Sequence, residues 1–493
     1  MSFAHLPALV IVIPLICAPL CVLLRRKDWA FVVAVIATWA SFACSILLTI
    51  QVMEVGTISY AMGGWAPPYG IEISLDALNV YILLIVSGIG SVVAPYARNS
   101  LLLEHIEERA HMFFSAYLLC LCGLMGVTVT GDAFNLFVFL EISSLSSYVL
   151  IALGSDRRAL TASYQYLVMG TIGATFIVIA VGLLYQATGS LNMADIANRL
   201  PEAGYTNRTV IAAFAFMVIG AGLKIAIFPL HQWLPNAYTY APNVVSAFLA
   251  ATATKVSVYI LLRFVFSVFG VEFSFETLPT ALPFLVLAVL AMFLPSIVAC
   301  FQKNVKRVLA YSSVAQIGYM ILGLGFVSVA GLTASILHLF NHALMKGALF
   351  LVLGAVFYRI GSCHIDRMAG LAKRMPWTMA AFVGGGLSLI GVPTTAGFVS
   401  KWYLILAALE KGWWYVAVLI VVSSLIAVVY VFRVIEAAYF RDAPEDLRDV
   451  AEAPVSLLVP AWILVFANFY FGVETSVSVG IAERAAQALM GAG

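Results

Sequence analysis

Residues 130–155, TGDAFNLFVFLEISSLSSYVLIALGS, decide the fold. From Ala133 to Leu153 the run carries a single charged side chain, Glu141. A helix crossing a bilayer needs about 20 mostly apolar residues, so this segment spans. A carboxylate in mid-span costs about 2.5–3.5 kcal/mol where it faces lipid. Glu141 therefore needs protein or water around it.

The rest of the chain extends this reading. Of 493 residues, 63% are hydrophobic and 10% charged, and the mean hydropathy is +1.03. Soluble domains hold about 25% charged residues, so lipid is the solvent here. No basic patch supports nucleic-acid binding. The seven cysteines (17, 21, 44, 120, 122, 300 and 363) form no C-x-x-C pair or zinc spacing. They read as small buried hydrophobes, not as a disulfide framework, a metal site or a thiol catalyst. The opening MSFAHLPALVIVIPLICAPLCVLLRRK lacks a basic n-region and reads as an uncleaved first span.

About 14 spans follow, near 7–24, 29–52, 74–96, 112–130, 133–153, 162–187, 208–228, 242–267, 277–301, 305–326, 329–358, 376–409, 411–438 and 453–475. The fold class is all-α integral membrane. With alternate loops assigned to alternate sides, 17 Lys and Arg fall on the side of the first loop, Arg448 among them. Five fall opposite (Arg199, Arg208, Arg263, Lys411 and Arg484), and four lie within spans. The positive-inside rule makes the first side cytoplasmic and puts both termini outside. The stretch RDAPEDLRDVAE (441–452) reads as a solvated loop or surface helix, and no soluble domain or long C-terminal extension interrupts the pattern.

Four lysines lie within spans: Lys224, Lys255, Lys346 and Lys401. Each needs the protein interior or water, and a partner. Snorkelling to the headgroups is the alternative for Lys401, in the outer half of its helix, and less readily for Lys346. A structural salt bridge is the alternative for Glu141. His338, His342 and Lys346 stand at i, i+4 and i+8, a stripe rising about 12 Å along one helix. Such a stripe suits a proton relay, because histidine titrates near neutrality. A packed polar stripe or a metal site are the other readings; haem would need a matching mid-span histidine, and His5, His105, His111, His231 and His364 all sit at span ends or in loops.

Helix breakers flank two of the lysines. Pro229 and Pro235 follow Lys224 in LKIAIFPLHQWLPNAY, and Gly391, Pro393 and Gly397 precede Lys401 in GVPTTAGFVSK. Interrupted helices at membrane depth are tolerated only where protein or water covers the freed backbone. A pair of them in two halves of a chain points to a transport site.

Three stretches carry a family resemblance: 130–170 with Glu141, 221–263 with Lys224 and Lys255, and HLFNHALMKGALF at 338–350. Together they resemble the antiporter-like subunits shared by respiratory complex I, membrane-bound hydrogenases and Mrp-type sodium/proton antiporters. The resemblance covers nearly the whole chain. It implies an ion pair between Glu141 and Lys224, a central Lys255, a polar helix with His338, His342 and Lys346, and a terminal Lys401. It also implies two inverted five-helix repeats with broken helices 7 and 12. The expected division is 1–111 for three N-terminal helices, 112–267 and 277–438 for the repeats, and 453–475 for the last helix. The wording GDAFNLFVFLEI, the length and Lys401 resemble the D-type subunit of Mrp antiporters, with the N-type subunit of complex I as alternative. The Thr394-Thr395 pair departs from the more usual Pro-Thr.

The function this implies is proton translocation in a multisubunit sodium/proton antiporter of a bacterial inner membrane. Its partners would be other membrane subunits, a second and larger antiporter-like one among them. No cofactor or metal is expected of the chain itself. A scaffold subunit held by salt bridges is a competing reading. A redox role would have to belong to a partner, since no cofactor motif is present.

Overall fold

The computed structural model describes residues 5–104, 106–447 and 449–491. His105 and Arg448 lie outside the described residues. The chain is helical almost throughout, as a segment in lipid must be if its amides and carbonyls are to bond within the segment.

In chain order the helices are α1 (Leu6–Leu24), α2 (Lys27–Val55), α3 (Ala77–Leu103), α4 (Ala110–Val129), α5 (Ala133–Ala152) and α6 (Arg158–Thr188). A short α7 (Met193–Ala203) precedes the broken pair α8 (Arg208–Ile225) and α9 (Trp233–Tyr240). There follow α10 (Asn243–Leu262), α11 (Ala281–Cys300), α12 (Val305–Gly325) and α13 (Val329–Ile360). The second broken pair is α14 (Pro376–Ile390) and α15 (Ala396–Glu410), and α16 (Trp414–Phe440), α17 (Val455–Val473) and α18 (Ser476–Leu489) close the chain. One antiparallel hairpin, β1 (Ile58–Ala61) with β2 (Glu72–Leu75), joins α2 to α3.

Among the described residues, 13 helices are long and apolar enough to cross a membrane. The halves α14 and α15 together supply one more passage, so the expected 14 is met with one span split in two. The protein is a multi-pass integral membrane protein. Isolated bridges show which loops share a face: Ile73 pairs with Thr130 and Asp132 with Asn192, beside the hairpin. Asn304 pairs with His364 on the opposite face.

The same packing occurs twice. In the first set α4 packs on α5, α5 on α6, α6 on both α8 and α9, and α10 back on α4. In the second, α11 packs on α12, α12 on α13, α13 on both α14 and α15, and α16 back on α11. Each set uses five passages. An odd number turns the second set upside down relative to the first, which is the inverted repeat. The two sets meet where α10 packs along α13.

Burial separates lipid-facing from interior spans. In α10 and α12, 94% of the spanning window is buried, against 39% in α6 and α16. The lysine-bearing α10 thus lies in the molecular interior. The segment after the last span forms α18, which seats Ile481, Ala482, Ala485 and Leu489 against α13 and α3. Hydropathy gives no hint of this helix, because its apolar stripe is narrow and alanine-rich.

Close helix approach relies on glycine where α6 crosses α8. A Cβ on Gly220 would come within 2.7 Å of the Gly173 carbonyl oxygen and 2.9 Å of Ile177. Overpacking of this kind costs about 1–3 kcal/mol. Gly220→Val is expected to lower the thermal midpoint of the purified protein by several degrees. Gly182→Val, at a position of α6 with open space around it, is expected to leave that midpoint unchanged.

Candidate functional site

Asp132 caps α5 by accepting the Asn135 amide at 2.7 Å, which fixes where the helix starts. Glu141 then faces the last turn of α8. The Lys224 Nζ lies 3.8 Å from its carboxylate and donates to the Ser144 hydroxyl at 2.7 Å. The pair is loose, and the neutral hydroxyl holds the lysine more closely than the acid does. Lys224 is 2% exposed while Glu141 is 25% exposed. The lysine side chain lies against Gly170 and Gly173 of α6, where an added Cβ would stand 3.5 Å from it, at ordinary contact distance.

The first break follows directly. α8 ends at Ala226 in a left-handed conformation (φ +63°), and Pro229 lies in the turn behind a cis Phe228–Pro229 bond. The freed Leu223 carbonyl is taken by the Trp233 indole N–H at 2.9 Å. Pro235 is not in the break. It occupies the first turn of α9, where a missing N–H is harmless.

Lys255 is fully buried in α10, with its Nζ on the Ala250 carbonyl and near the Thr254 hydroxyl. Lys346, equally buried in α13, donates to Leu309 O at 2.8 Å and to the Ser312 hydroxyl at 2.5 Å, both on α12. Neither has an acidic partner among the described residues. The helix that carries Lys255, α10, packs along α13, which carries His338, His342 and Lys346. No hydrogen bond among the described residues joins Lys224 to Lys255.

The histidine rings are nearly parallel, 7° apart with centroids at 6.2 Å. His338 places Nε2 at 3.0 Å from the Gln316 amide oxygen and Nδ1 at 2.8 Å from the Ser400 hydroxyl. An amide oxygen only accepts, so Nε2 carries hydrogen; a hydroxyl can accept or donate, so Nδ1 can be held in either state. His342 is fully buried, and neither of its nitrogens has a hydrogen-bond partner in the described protein.

Ser400 leads to the second break. α14 ends at Gly391 (φ +91°), the turn passes through Pro393 and Thr394 (φ +75°), and α15 starts after Thr395. Gly397 lies inside α15, not in the break. It must be glycine because a Cβ there would run into the Ser388 backbone. The Gly397 amide donates to the Ser388 hydroxyl, which in turn donates to Asn468, and Asn341 holds the Ala396 carbonyl. Lys401 reaches back to cap α14: its Nζ donates to the carbonyls of Ile390 (2.8 Å) and Leu389 (3.0 Å). The negative end of a half-helix suits an ammonium. Nζ also stands 4.9 Å from the centre of the Tyr319 ring.

Snorkelling is thereby overturned for Lys346 and Lys401, which are 0% and 4% exposed. Two further charges, at span ends, are also buried. Lys306 is buried in the first turn of α12, donating to Ala241 O beside buried Glu104. Arg263 is paired with Asp76, at 2.8 Å, with only 13% of its side chain exposed. Charge at a span end looks the same in sequence whether it turns in or out. Gln316, a bulky polar residue inside an apolar run, could have been found by the kind of test that singled out the lysines.

With this geometry in hand, the comparisons fall into place. A family described as NADH:quinone oxidoreductase/Mrp antiporter, transmembrane, matches residues 130–427. The chain is 43% identical to the N-type subunit of the NADH-quinone oxidoreductase of Desulforudis audaxviator, over 94% of each chain. It is 31% identical to the D-type subunit of the Na(+)/H(+) antiporter of Bacillus subtilis, over 99% of this chain and 97% of that one. A chain of the archaeal membrane-bound sulfane sulfur reductase superposes with a TM-score of 0.90 at 30% identity, covering 99% of this chain and 98% of the other. A chain of the Mrp complex from Dietzia sp. DQ12-45-1b has the same fold, with a TM-score of 0.90 at 24% identity over 99% and 98%. Both broken helices, the loose Glu141–Lys224 pair and the buried lysines up to Lys401 lie inside the matched region, and the chain belongs to the NADH:quinone oxidoreductase/Mrp antiporter transmembrane family.

Proposed function

We propose that the chain is the proton-translocating, antiporter-like subunit of a hetero-oligomeric membrane complex. The observation that carries this reading is a row of four enclosed lysines of which only Lys224, among the described residues, has an acid within reach. A lysine held by carbonyls and hydroxyls keeps hydrogen-bond partners whether or not it bears its proton. A lysine locked to a carboxylate does not have that freedom.

In this reading Glu141 and Lys224 form the control pair, and its opening or closing changes how firmly Lys224 holds its proton. Lys255 is the central carrier. The His338–His342 pair, with Gln316 and Ser400, passes protons toward Lys401, and Lys346 sets the charge beside it. The break at Gly391–Pro393 supplies the carbonyls at which Lys401 sits, and the break at Pro229 follows directly on the helix end that carries Lys224. The division into 112–267 and 277–438 is then a division into two half-routes.

The exposed face of α5 supports partner subunits. Phe134, Val138, Leu145 and Val149 are exposed on the stripe that also carries Glu141. A carboxylate on such a stripe is expensive against lipid, so this face is assigned to a neighbouring membrane subunit. The positive-inside bias supports an orientation with the hairpin face and the termini outside, and the bacterial relatives support a bacterial inner membrane.

Two drivers fit the site. Exchange against sodium or another monovalent cation is the reading carried from the sequence, and the D-type antiporter relatives support it. The 43% identity to an N-type subunit favours a redox-driven complex in which this chain pumps protons without its own redox centre. Purification of the native complex separates them: small membrane subunits alone support the antiporter, and peripheral redox subunits support the second.

Glu141→Ala and Lys224→Ala are each expected to reduce proton transport in everted vesicles to background while the complex still assembles. Normal transport in either variant would sink the relay. A scaffold role predicts instead that Glu141→Gln damages assembly before transport. Ser144→Ala, which removes only the hydroxyl under Lys224, is expected to slow transport severalfold without abolishing it.

A further inference from the structure

The relay above leaves one buried hydroxyl beside the control pair unused. Glu141, Ser144 and Tyr148 stand at i, i+3 and i+7 of α5, on one face of the helix. Tyr148 is 5% exposed, and its hydroxyl has no hydrogen-bond partner among the described residues. It lies directly over Gly170 of α6, where a Cβ would come within 2.1 Å of the hydroxyl oxygen. The Lys224 Nζ stands 3.5 Å from that same point. The oxygen and the nitrogen are therefore separated by no more than the sum of those two distances. A rotation of the flexible lysine side chain covers such a gap. Ser144, which accepts from Nζ, places its own hydrogen on the Leu140 carbonyl at 2.7 Å.

Two features set this tyrosine apart from a packed core ring. The first is the orphaned hydroxyl. A phenylalanine would make the same ring contacts, whereas a buried hydroxyl without a partner is costly. That cost is offset where the site has a second arrangement that supplies the partner. The second feature is what the ring touches. Tyr148 meets Tyr166 of α6 edge to face, with ring centres 4.8 Å apart, and Tyr166 stacks flat on Trp233 of α9 at 3.9 Å. Trp233 in turn holds the carbonyl of Leu223, one residue before Lys224. The aromatic row thus runs from the free hydroxyl to the broken end of the helix that carries the lysine.

We propose that the Tyr148 hydroxyl is the second seat of Lys224, taking the ammonium when the pair with Glu141 opens. In the closed arrangement Nζ rests on Ser144, with the Glu141 carboxylate at 3.8 Å. In the open one Nζ swings across Gly170 and donates to the Tyr148 oxygen. The phenol keeps its hydrogen, so no covalent bond changes in this step. A neutral oxygen compensates an ammonium differently from a carboxylate, so the seat sets how firmly Lys224 holds its proton. Tyr148 is a positioning residue, acting through Lys224. The close approach also accounts for glycine at 170, since any side chain there would occupy the place of the hydroxyl. The inference rests on the reading of Glu141 and Lys224 as the control pair.

The test is proton transport by the assembled complex in everted vesicles, with assembly checked by the yield of intact complex. Tyr148→Phe keeps the ring and removes only the hydroxyl. It is expected to lower the rate about tenfold, the scale of one hydrogen bond to a charged group, with assembly unchanged. Transport at the wild-type rate in Y148F would overturn the proposal. The double variant S144A/Y148F separates a second seat from an independent support. With both hydroxyls gone neither seat gains over the other, so the double variant is expected to be at least as fast as Y148F alone. A double variant slower than Y148F would mean two independent supports and would overturn the proposal. Where Y148F does not assemble, infrared spectra of complexes with ring-labelled tyrosine read the seat instead. Glu141→Gln removes the acid and is expected to send Lys224 to Tyr148, shifting a tyrosine C–O band that stays in place in E141Q/K224A. No shift in E141Q, or the same shift in E141Q/K224A, would overturn the proposal. Transport by K224A in the same vesicles tests the underlying reading on its own. Normal transport there rejects the control pair, whereas K224A at background with Y148F at the wild-type rate rejects the second seat alone.

Discussion

An ammonium group cannot be left in lipid, and the rest of this structure follows from that constraint. Each mid-span lysine costs roughly 2.5–3.5 kcal/mol against lipid on the insertion scale. The chain therefore wraps its charged helices in uncharged ones. α10 is enclosed almost completely, while α6 and α16 present their apolar faces outward. The broken helices answer the same constraint. Ending α14 at Gly391 frees two carbonyls inside the membrane, and Lys401 takes both. The exposed backbone and the buried cation solve each other's problem.

What distinguishes the site is how little of the positive charge is neutralised by acid. Glu141 stands 3.8 Å from Lys224, farther than a close ion pair, and Ser144 makes the shorter bond. Lys255, Lys346 and Lys401 rest on carbonyls and hydroxyls. A tight carboxylate pair would hold its proton in place. A hydroxyl or carbonyl cradle holds the nitrogen in place and leaves the proton free to go. His338 follows the same logic, with one fixed acceptor at Gln316 and one reversible partner at Ser400.

The spans were legible in the sequence because hydropathy and length decide them, and the breaks because proline and glycine sit beside charge. Glu141 and the four lysines stood out for the same reason: a charge in an apolar run has few explanations. The hydroxyl and carbonyl partners were not legible, since serine and backbone are everywhere and only the packing selects Ser144, Ser312 or Ser400. The burial of Lys306 and Arg263 was hidden because span ends normally carry charge. Pro235 and Gly397 were read as breakers, but one opens α9 and the other lets α15 pack against Ser388. Nor does sequence pattern reveal α18, whose buried face is mostly alanine.

The central claim is that the enclosed lysines work by losing and regaining protons, not merely by being positive. Arginine separates the two, because it keeps the charge and does not deprotonate in proteins. The decisive measurement is proton flux through assembled complexes carrying Lys255→Arg. Flux at background, in complexes that assemble as wild type does, is the expected result. Flux at the wild-type rate would show that a fixed charge at this position suffices, and would contradict proton transfer through Lys255.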